Sequence, residues 1–382
     1  MRFVIIGTAY PLRGGIAHYV SLLYHSLVKR GHEVKVITFS RQYPKILFPG
    51  KSQNETGDAG IPIDSIQTID SINPITWRNA GKVAADFEPD AIIFKFWLPF
   101  FAPAYGVIVR VAKRILRKKG KTTKAIFIAD NVIPHEKRLG DRAFTNFAFR
   151  VVDHFIVQSS AVERDLLIVK PDAAYTKLAH PVYENFGQLM NANEARRKLG
   201  IADDAPVLLF FGFIRKYKGL DIIIRALPQI LKSYPTMQLV VAGESYSGED
   251  DFRALIKELN IPSENIKLFI NYIPNSDVPV YFSAANVVVL PYRNATQSGI
   301  VQIAYNFDVP VIATDVGGLA EVVIDGVSGL IAPHATPDVI VTVVKKYFDE
   351  GLEEKLRAGV REEKKKYSWE TFVKGVEEII KN

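Results

Sequence analysis

Short apolar runs alternate along this chain with polar turns that contain glycine. Val287–Leu290 and Pro310–Ala313 are each followed by such a turn and then by a segment with helical spacing. Near the amino terminus, Phe3–Ile6 precedes a glycine-containing loop and the helix-like segment Ile16–Arg30. This rhythm predicts parallel sheets with connecting helices, an α/β fold. Ligands of such sheets bind at the loops that follow the carboxyl ends of the strands.

The same pattern predicts further strands, which share a short apolar core between turn residues: Glu33–Phe39, Ala91–Phe94, Lys124–Ala129, Val151–Val157, Tyr175–Ala179, Val207–Phe211, Gln238–Ala242 and Lys267–Ile270. Arg41–Pro74 is rich in Pro, Gly, Ser, Asn and Asp, and we expect a long surface loop there. The apolar stretch Ala91–Val109 has nearly the length of a membrane-spanning helix. Because a lysine and two prolines interrupt it, we expect a strand, a loop over Lys95–Pro103 and then a helix.

Composition excludes several classes of site. The 382 residues include no cysteine, which rules out disulfides, thiolate metal ligands and cysteine nucleophiles. A reducing, cytoplasmic location fits this composition. The seven histidines show no spacing typical of a metal site. The apolar core of the first residues is too short for a signal peptide.

The net charge of +7 is concentrated in one segment, Arg110–Lys124, which holds eight basic residues and no acidic one. The favoured interpretation is a solvated helix end. The alternative is peripheral contact with the anionic inner face of a membrane. A nucleic-acid partner is not expected, because no binding module accompanies the charges. Trp97 belongs to an aromatic loop that would contact a bilayer or a lipid-linked acceptor if exposed, and would otherwise be core.

Three groups of residues are candidates for binding phosphate. The turn Thr296-Gln297-Ser298-Gly299 opens an apolar-periodic segment, so it would aim backbone N–H groups and a helix dipole at an anion, or equally form a plain N-cap turn. Arg215 and Lys218 follow a predicted strand, and two cations there suit a diphosphate. Gly14 and Gly15 allow the backbone to approach a ligand closely. The chain contains neither GxGxxG nor a P-loop.

These motifs together resemble a known family. The segment Phe210–Gly219 (FFGFIRKYKG), the pattern over Ala313–Pro333 and the Gly-Gly turn near the amino terminus are similar to those of family-four retaining glycosyltransferases. The resemblance implies the GT-B fold, which has two doubly wound Rossmann-like domains facing across a cleft. We expect an acceptor-side domain over 1–183, a nucleotide-sugar-binding domain over 184–366, and a last helix over 367–382 that packs back on the first domain.

The resemblance also implies roles for individual residues. Gly14 and Gly15 would lie against the donor diphosphate, whereas Tyr272 and Ile273 would face the nucleobase. Lys218, with Arg215, would serve binding and catalysis. Asp130 stands where relatives often carry a histidine, and it would hydrogen-bond a sugar hydroxyl or accept a proton from the acceptor hydroxyl.

Two further residues are expected on the acceptor side, and one family feature is missing. His135 and Trp97 are the acceptor-side candidates. Ala295 and Ile303 occupy the two positions at which the family usually has glutamates that contact the donor sugar and ribose. We expect Gln302, Thr296 or Gln297 to supply those contacts instead.

The function implied by the resemblance is transfer of a sugar, with retention, from a nucleotide-diphosphate sugar to the hydroxyl of a glycan or lipid-linked acceptor. No cofactor and no metal are expected, because Lys218, Arg215 and the helix start at Ser298-Gly299 can supply positive charge. Two alternatives remain open. One is a non-catalytic protein that binds sugar nucleotides or a partner, and the other is a sugar-nucleotide epimerase.

Overall fold

The computed structural model describes residues 1–44, 53–54, 62–134, 138–245 and 249–381. The chain divides into unit 1, which comprises Met1–Pro181 and Tyr367–Asn382, and unit 2, which comprises Val182–Lys366. Each unit contains one parallel sheet with connecting helices.

The strands of unit 1 are β1 Arg2–Ile6, β2 Glu33–Arg41, β3 Ser65–Asp70, β4 Ala91–Phe96, β5 Lys124–Ala129, β6 His154–Val157 and β7 Tyr175–Lys177. They pair in the order β3-β2-β1-β4-β5-β6-β7, and every pairing is parallel. The connecting helices are α1 Gly15–Lys29, α2 Pro74–Asp86, α3 Ala102–Lys118, α4 Asp141–Phe149 and α5 Ser160–Val169. The core of this unit is formed by the fully buried centres of β1, β4 and β5 and by α3.

Unit 2 begins with the short helix α6 Ala192–Lys198 and continues with strands β8 Val207–Phe211, β9 Gln238–Ala242, β10 Ile266–Phe269, β11 Val287–Leu290, β12 Val311–Thr314 and β13 Gly329–Ala332. Their order is β10-β9-β8-β11-β12-β13, again with parallel pairing throughout. The helices are α7 Leu220–Leu231, α8 Glu249–Glu258, α9 Val278–Ala284, α10 Gly299–Asn306, α11 Leu319–Val322, α12 Pro337–Asp349 and α13 Glu353–Glu363. The core forms between the sheet, α7 and α12.

The last helix, α14 Trp369–Lys381, packs on unit 1, as the resemblance predicted. Glu377 accepts two hydrogen bonds from the Arg30 guanidinium, at 2.6 and 2.8 Å, and lies 2.7 Å from Nε2 of His32. Lys124 Nζ donates to the Ile379 carbonyl at 2.7 Å. The hydrogen bonds from Arg30 hold the pKa of Glu377 at about 2, because they stabilise its ionised form.

The prediction of a long loop over Arg41–Pro74 is wrong at one place, because strand β3 lies within this segment. This strand is at the edge of the sheet, where only Ile69 is fully buried and Ile66 is exposed. An edge strand exposed on both faces lacks the apolar run by which the other strands were predicted.

The predicted end of β4 is also wrong, since the strand continues through Lys95 and Phe96. Smaller differences occur at strand ends: β6 begins at His154, β7 ends at Lys177, and β12 ends at Thr314. Lys95 was taken as the start of a loop because it is charged. Its side chain is instead buried, with one partner just after β5 and another just after β6.

Candidate functional site

The predicted phosphate-binding residues of unit 2 lie where the strand order of its sheet reverses. Strands β8 and β11 are adjacent there, and the chain leaves them in the loops 212–219 and 291–298. In an open parallel sheet such a switch point leaves a crevice outside the carboxyl ends of the strands, where ligands bind. We therefore place the candidate site of unit 2 at these two loops.

Glycines let the loops at this edge approach one another closely. A Cβ on Gly219 would lie 2.1 Å from the carbonyl oxygen of Pro291, and a Cβ on Gly317 would lie 1.5 Å from the carbonyl oxygen of Ala295. Both glycines have positive φ, which other residues rarely adopt. The loops after β8, β11 and β12 therefore form one packed rim, and any side chain at Gly219 or Gly317 would push it apart.

Lys218 ends a short 3-10 turn, Lys216–Lys218, within this rim. Its side chain is buried, and it forms no ion pair with any carboxylate of the described residues. Burial, together with the charge of Arg215, lowers the pKa of Lys218 from 10.5 to about 8. A cation that the protein buries without a carboxylate partner is suited to an anionic ligand.

The start of α10 lies beside Lys218. Ser298 is its N-cap, with Oγ accepting from the Ile300 N–H at 3.3 Å, and the first turn contains no acidic residue. A Cβ placed on Gly212 would lie 2.9 Å from the Ile300 side chain and 3.5 Å from Lys218 Nζ, so these groups meet around Gly212. The amino end of a helix carries partial positive charge, which adds to the positive field of the lysine.

Arg293 holds the turn that carries Lys218, and the sequence analysis did not single it out. Its backbone N–H donates to the Tyr217 carbonyl at 2.7 Å, and its Nη1 donates to the Lys216 carbonyl at 3.0 Å. The guanidinium also forms a bidentate pair with Asp221 at 2.8 and 2.6 Å. One residue of the β11 loop thus binds two carbonyls of the β8 loop and one carboxylate in the first turn of α7.

The two positions at which the family usually has glutamates are apolar and buried, with Ala295 4% and Ile303 7% exposed. Gln302 on α10 is 2% exposed, and its Oε1 has no hydrogen-bond partner among the residues described. Thr296 is buried, and Gln297 is half-buried. These residues lie at the helix start, as expected, and their contacts to a donor stay a prediction.

Tyr272 and Ile273 lie in the loop after β10, so they and Lys218 both follow the carboxyl ends of strands of the same sheet. Because β10 is the edge strand, two strands separate this loop from the switch point. Ile273 is buried and Tyr272 is half-buried. Their predicted contact with a nucleobase is not tested by this placement.

In unit 1 the switch point lies between β1 and β4. Gly14 is the N-cap of α1 with φ of 109°, and Gly15 is the first residue of that helix. A Cβ on Gly14 would meet nothing within 4 Å, so its backbone conformation, and not crowding, requires glycine. The open space beside it is consistent with the close approach of a ligand to the backbone.

Asp130, at the end of β5, is buried and ion-paired. Lys95 Nζ lies 2.6 Å from Oδ1 of Asp130 and 3.1 Å from Oε1 of Gln158, and it sits 3.5 Å from the centre of the Tyr19 ring. Burial lowers the pKa of Lys95, while Asp130 opposes that effect. An acceptor hydroxyl that used Asp130 as a base would have to compete with this ammonium, which favours a positioning role for the carboxylate.

The aromatic loop after β4 packs into unit 1. Phe101 is fully buried, and Trp97 is half-buried, with its ring centre 4.6 Å from that of Phe101. Trp97 Nε1 donates to the Tyr43 hydroxyl at 3.2 Å. Of the two interpretations of this loop, the structure therefore favours core. His135, the other acceptor-side candidate, lies outside the described residues.

Within the described ranges, no group of three or more His, Cys, Asp or Glu side chains could hold a metal ion. None of the helices described is both long enough and apolar enough to cross a membrane.

Sequence reasoning missed Lys95 and Arg293, although each left a signal. Lys95 is a single charge in an otherwise apolar strand, and Arg293 follows shortly after a buried strand, where functional side chains gather in parallel sheets. Their roles depend on partners that are distant in the sequence, such as Asp130 for Lys95 and Asp221 for Arg293.

Comparison with known proteins shows the family of this chain. Residues 191–367 match the family described as Glycosyl transferases group 1. A D-inositol 3-phosphate glycosyltransferase 1 from Catenulispora acidiphila is 30% identical over 313 residues, covering 77% of this chain and 72% of that protein. The D-inositol 3-phosphate glycosyltransferase of Saccharomonospora viridis is 28% identical over 380 residues, covering 93% and 86%.

Solved structures agree on the fold. HepE from Anabaena, in complex with UDP, superimposes with a TM-score of 0.76 at 17% sequence identity, covering 100% of both chains. Two Rossmann-like units, the rim around Lys218 and these similarities lead to one conclusion: the chain belongs to the group 1 glycosyltransferases and has the GT-B fold.

Proposed function

We propose that this glycosyltransferase moves a hexosyl group, with retention, from a nucleotide-diphosphate sugar to the hydroxyl of a glycan or lipid-linked acceptor, without a metal ion. The observation that carries the proposal is Lys218, a buried cation with no carboxylate partner among the described residues, beside the start of α10. A cytoplasmic location is part of the same proposal.

In the proposed mechanism, positive charge stabilises the departing nucleoside diphosphate. Lys218, Arg215 and the N–H groups after Ser298 would face the phosphates, and their effect would grow as negative charge develops on the leaving oxygen. With no protein nucleophile assigned, the acceptor hydroxyl would attack from the face that the diphosphate leaves. The diphosphate oxygen would take the proton of that hydroxyl.

The first experiment is a thermal-shift panel of UDP, GDP, ADP and TDP sugars with EDTA present. We expect one of them to raise the melting temperature at sub-millimolar concentration, because ligands that bind only the folded state stabilise it. UDP-glucose comes first, since HepE, which shares the fold, has been solved with it. Stabilisation that appears only with magnesium would contradict the metal-free site, and no stabilisation by any donor would contradict the proposal.

A second candidate function is binding without turnover, favoured by the burial of apolar Ala295 and Ile303 at the two positions usually occupied by glutamate. Such a protein would be stabilised by a donor but would transfer no sugar to any acceptor. An epimerase, in contrast, would convert the donor sugar with no acceptor present. Product analysis with and without an acceptor separates the three functions.

Turnover should fall as the pH rises through about 8. Burial lowers the pKa of Lys218 to about 8, so its ammonium is present below that pH and is lost above it. Because kcat/KM reports ionisations of the free enzyme, we expect the alkaline limb of its pH profile at about 8. In a Lys218→Arg variant this limb should disappear, since arginine stays protonated. An unchanged limb in that variant would show that another group titrates.

Replacing Arg293 by alanine should lower kcat/KM about 10- to 100-fold, because the turn carrying Lys218 would lose its side-chain contacts to the β11 loop and keep only the backbone hydrogen bond. Arg293→Lys should restore only part of this loss, since lysine cannot form the bidentate pair with Asp221. The alkaline limb of kcat/KM should also shift in both variants, because the surroundings of Lys218 change.

The control for this prediction is Arg361→Ala, which removes an exposed arginine of α13. Its kinetics and pH profile should match those of the unchanged protein. If Arg293→Ala lost stability but kept both kcat/KM and the limb, the residue would be structural only.

A further inference from the structure

A cavity of about 810 Å³ lies in unit 1, at the end of its sheet opposite to the loops that contain Gly14 and Asp130. Its walls come from the second half of α3, from the residues just before β4, β5 and β6, and from the end of α14. These are the amino ends of the strands, whereas Gly14 and Asp130 follow carboxyl ends. The cavity is therefore separate from the site described above, and its volume is that of a typical small-molecule pocket.

The cavity is strongly cationic. Six basic side chains line it: Arg110, Lys113, Arg114, Arg117, Lys121 and Lys124. Two carboxylates also line it, but Asp153 pairs with Lys113 at 2.6 Å, and Asp90 accepts from the backbone N–H of Arg2 at 2.7 Å. A concave surface lined mainly by one sign of charge focuses the field and attracts ions of the opposite sign.

Most of these cations lack an acidic partner. Lys113 pairs with Asp153, and Lys121 pairs with Glu88. Arg110, Arg114, Arg117 and Lys124 form no ion pair within the described part of the chain. Four positive side chains around one cavity repel each other, and a bound anion would relieve that repulsion.

Contacts with Phe147 hold the side chain of Arg110 in place, and one nitrogen of its guanidinium has no hydrogen-bond partner among the described residues. Its guanidinium carbon lies 3.9 Å from the centre of the Phe147 ring, and Nη2 donates to the Phe147 carbonyl at 2.9 Å. Nη1 is buried and has no hydrogen-bond partner among the residues described, and the same is true of Thr123 Oγ1 on the cavity wall. A Cβ on Gly106 would lie 2.7 Å from the Phe147 ring and 2.9 Å from Arg110 Nη1, so glycine leaves room for this stacking.

We propose that this cavity binds a soluble anion bearing two or more phosphate groups. Several arginine guanidinium groups around one cavity match phosphate oxygens in geometry and charge. A lipid headgroup would offer the same chemistry. However, the exposed large apolar residues described in this structure lie outside α3 and the loop that follows it. A helix that lies on a bilayer inserts such side chains, so the structure favours a soluble ligand.

The test is a calorimetric titration with tripolyphosphate at physiological salt. A Lys218→Ala background weakens the proposed phosphate site of unit 2, so that this site contributes less to the titration. We expect saturable binding, weakened at least about tenfold by Arg114→Gln with Arg117→Gln, because each removes a charge-assisted hydrogen bond. The matched control is Arg78→Gln with Arg361→Gln, two exposed arginines away from the cavity, which should change the Kd less than about twofold.

Two results would overturn the proposal. The first is no binding of tripolyphosphate, and the second is equal weakening in both double variants. If the first result is accompanied by sedimentation with phosphatidylglycerol vesicles that requires Arg114 and Arg117, the basic residues are assigned to a membrane contact instead. The candidate donor site is unaffected by any of these results, because the nucleotide panel tests it separately.

Discussion

Replacing Lys218 by alanine is expected to lower kcat/KM by about 10³-fold. The variant removes the buried ammonium that we propose stabilises the leaving diphosphate. That stabilisation grows in the transition state, so kcat should fall as well as kcat/KM. The measurement is steady-state kinetics with whichever donor the thermal-shift panel identifies.

The same variant should not lose stability. Lowering the pKa of Lys218 from 10.5 to about 8 means that the folded protein destabilises the charged form of this side chain by roughly 3 kcal/mol. Removing the ammonium should therefore leave the melting temperature unchanged or raise it, despite the small cavity created. A loss of activity together with unchanged stability would separate a catalytic role from a structural one.

The control is Lys232→Ala, which removes an exposed lysine just after α7. Its kcat/KM should stay within about twofold of the unchanged protein, because a surface charge away from the rim contributes little. If Lys218→Ala lowered kcat/KM by less than about tenfold, the proposed role of Lys218 would be wrong.

Breaking the buried pair of Lys95 and Asp130 is expected to destabilise unit 1 by about 3–5 kcal/mol. Asp130→Ala would leave the Lys95 ammonium buried, with Gln158 and the Tyr19 ring as its remaining partners among the described residues. Lys95→Met would remove the ammonium that pairs with the carboxylate of Asp130, which is 7% exposed. Urea unfolding, followed by the fluorescence of the aromatic side chains of unit 1, measures the loss of stability in both variants.

The double variant Lys95→Met with Asp130→Leu tests whether the two charges are coupled. Because this variant removes both charges, it should lower the free energy of unfolding by clearly less than the sum of the two single variants. An exposed pair, Lys365 and Glu362, provides the control, and Lys365→Met should change stability by less than about 0.5 kcal/mol. Additive losses in the buried pair would show that each residue acts independently of the other.

Several features of the fold could be predicted because they are local. The strands at the centre of each sheet, such as β1, β5 and β8, were found from apolar runs bounded by turn residues. Lys218 and the start of α10 were singled out because functional side chains follow strand ends in this class of fold, and their roles stay a prediction. The edge strand β3 was missed, since an edge position imposes no continuous apolar pattern.

The site was less predictable where it depends on partners far apart in the chain. Asp130 was singled out, but its pairing with Lys95, 35 positions away, was not expected. Arg293 was overlooked because its role requires the β8 loop, whose Lys216 carbonyl is 77 positions away. Neither spacing leaves a periodic signal, since only the strand order brings these residues together.

The sequence by itself determined the two parallel sheets, the positions of their loops and the family, because each depends on local periodicity and on motifs that are contiguous in the chain. Only the tertiary structure decided which charges are paired. It joined Lys95 to Asp130, left Lys218 buried without a carboxylate among the described residues, and gathered the basic residues of α3 around a cavity. The physical reason is that the charged state and reach of a side chain depend on burial and on neighbours that the strand order supplies.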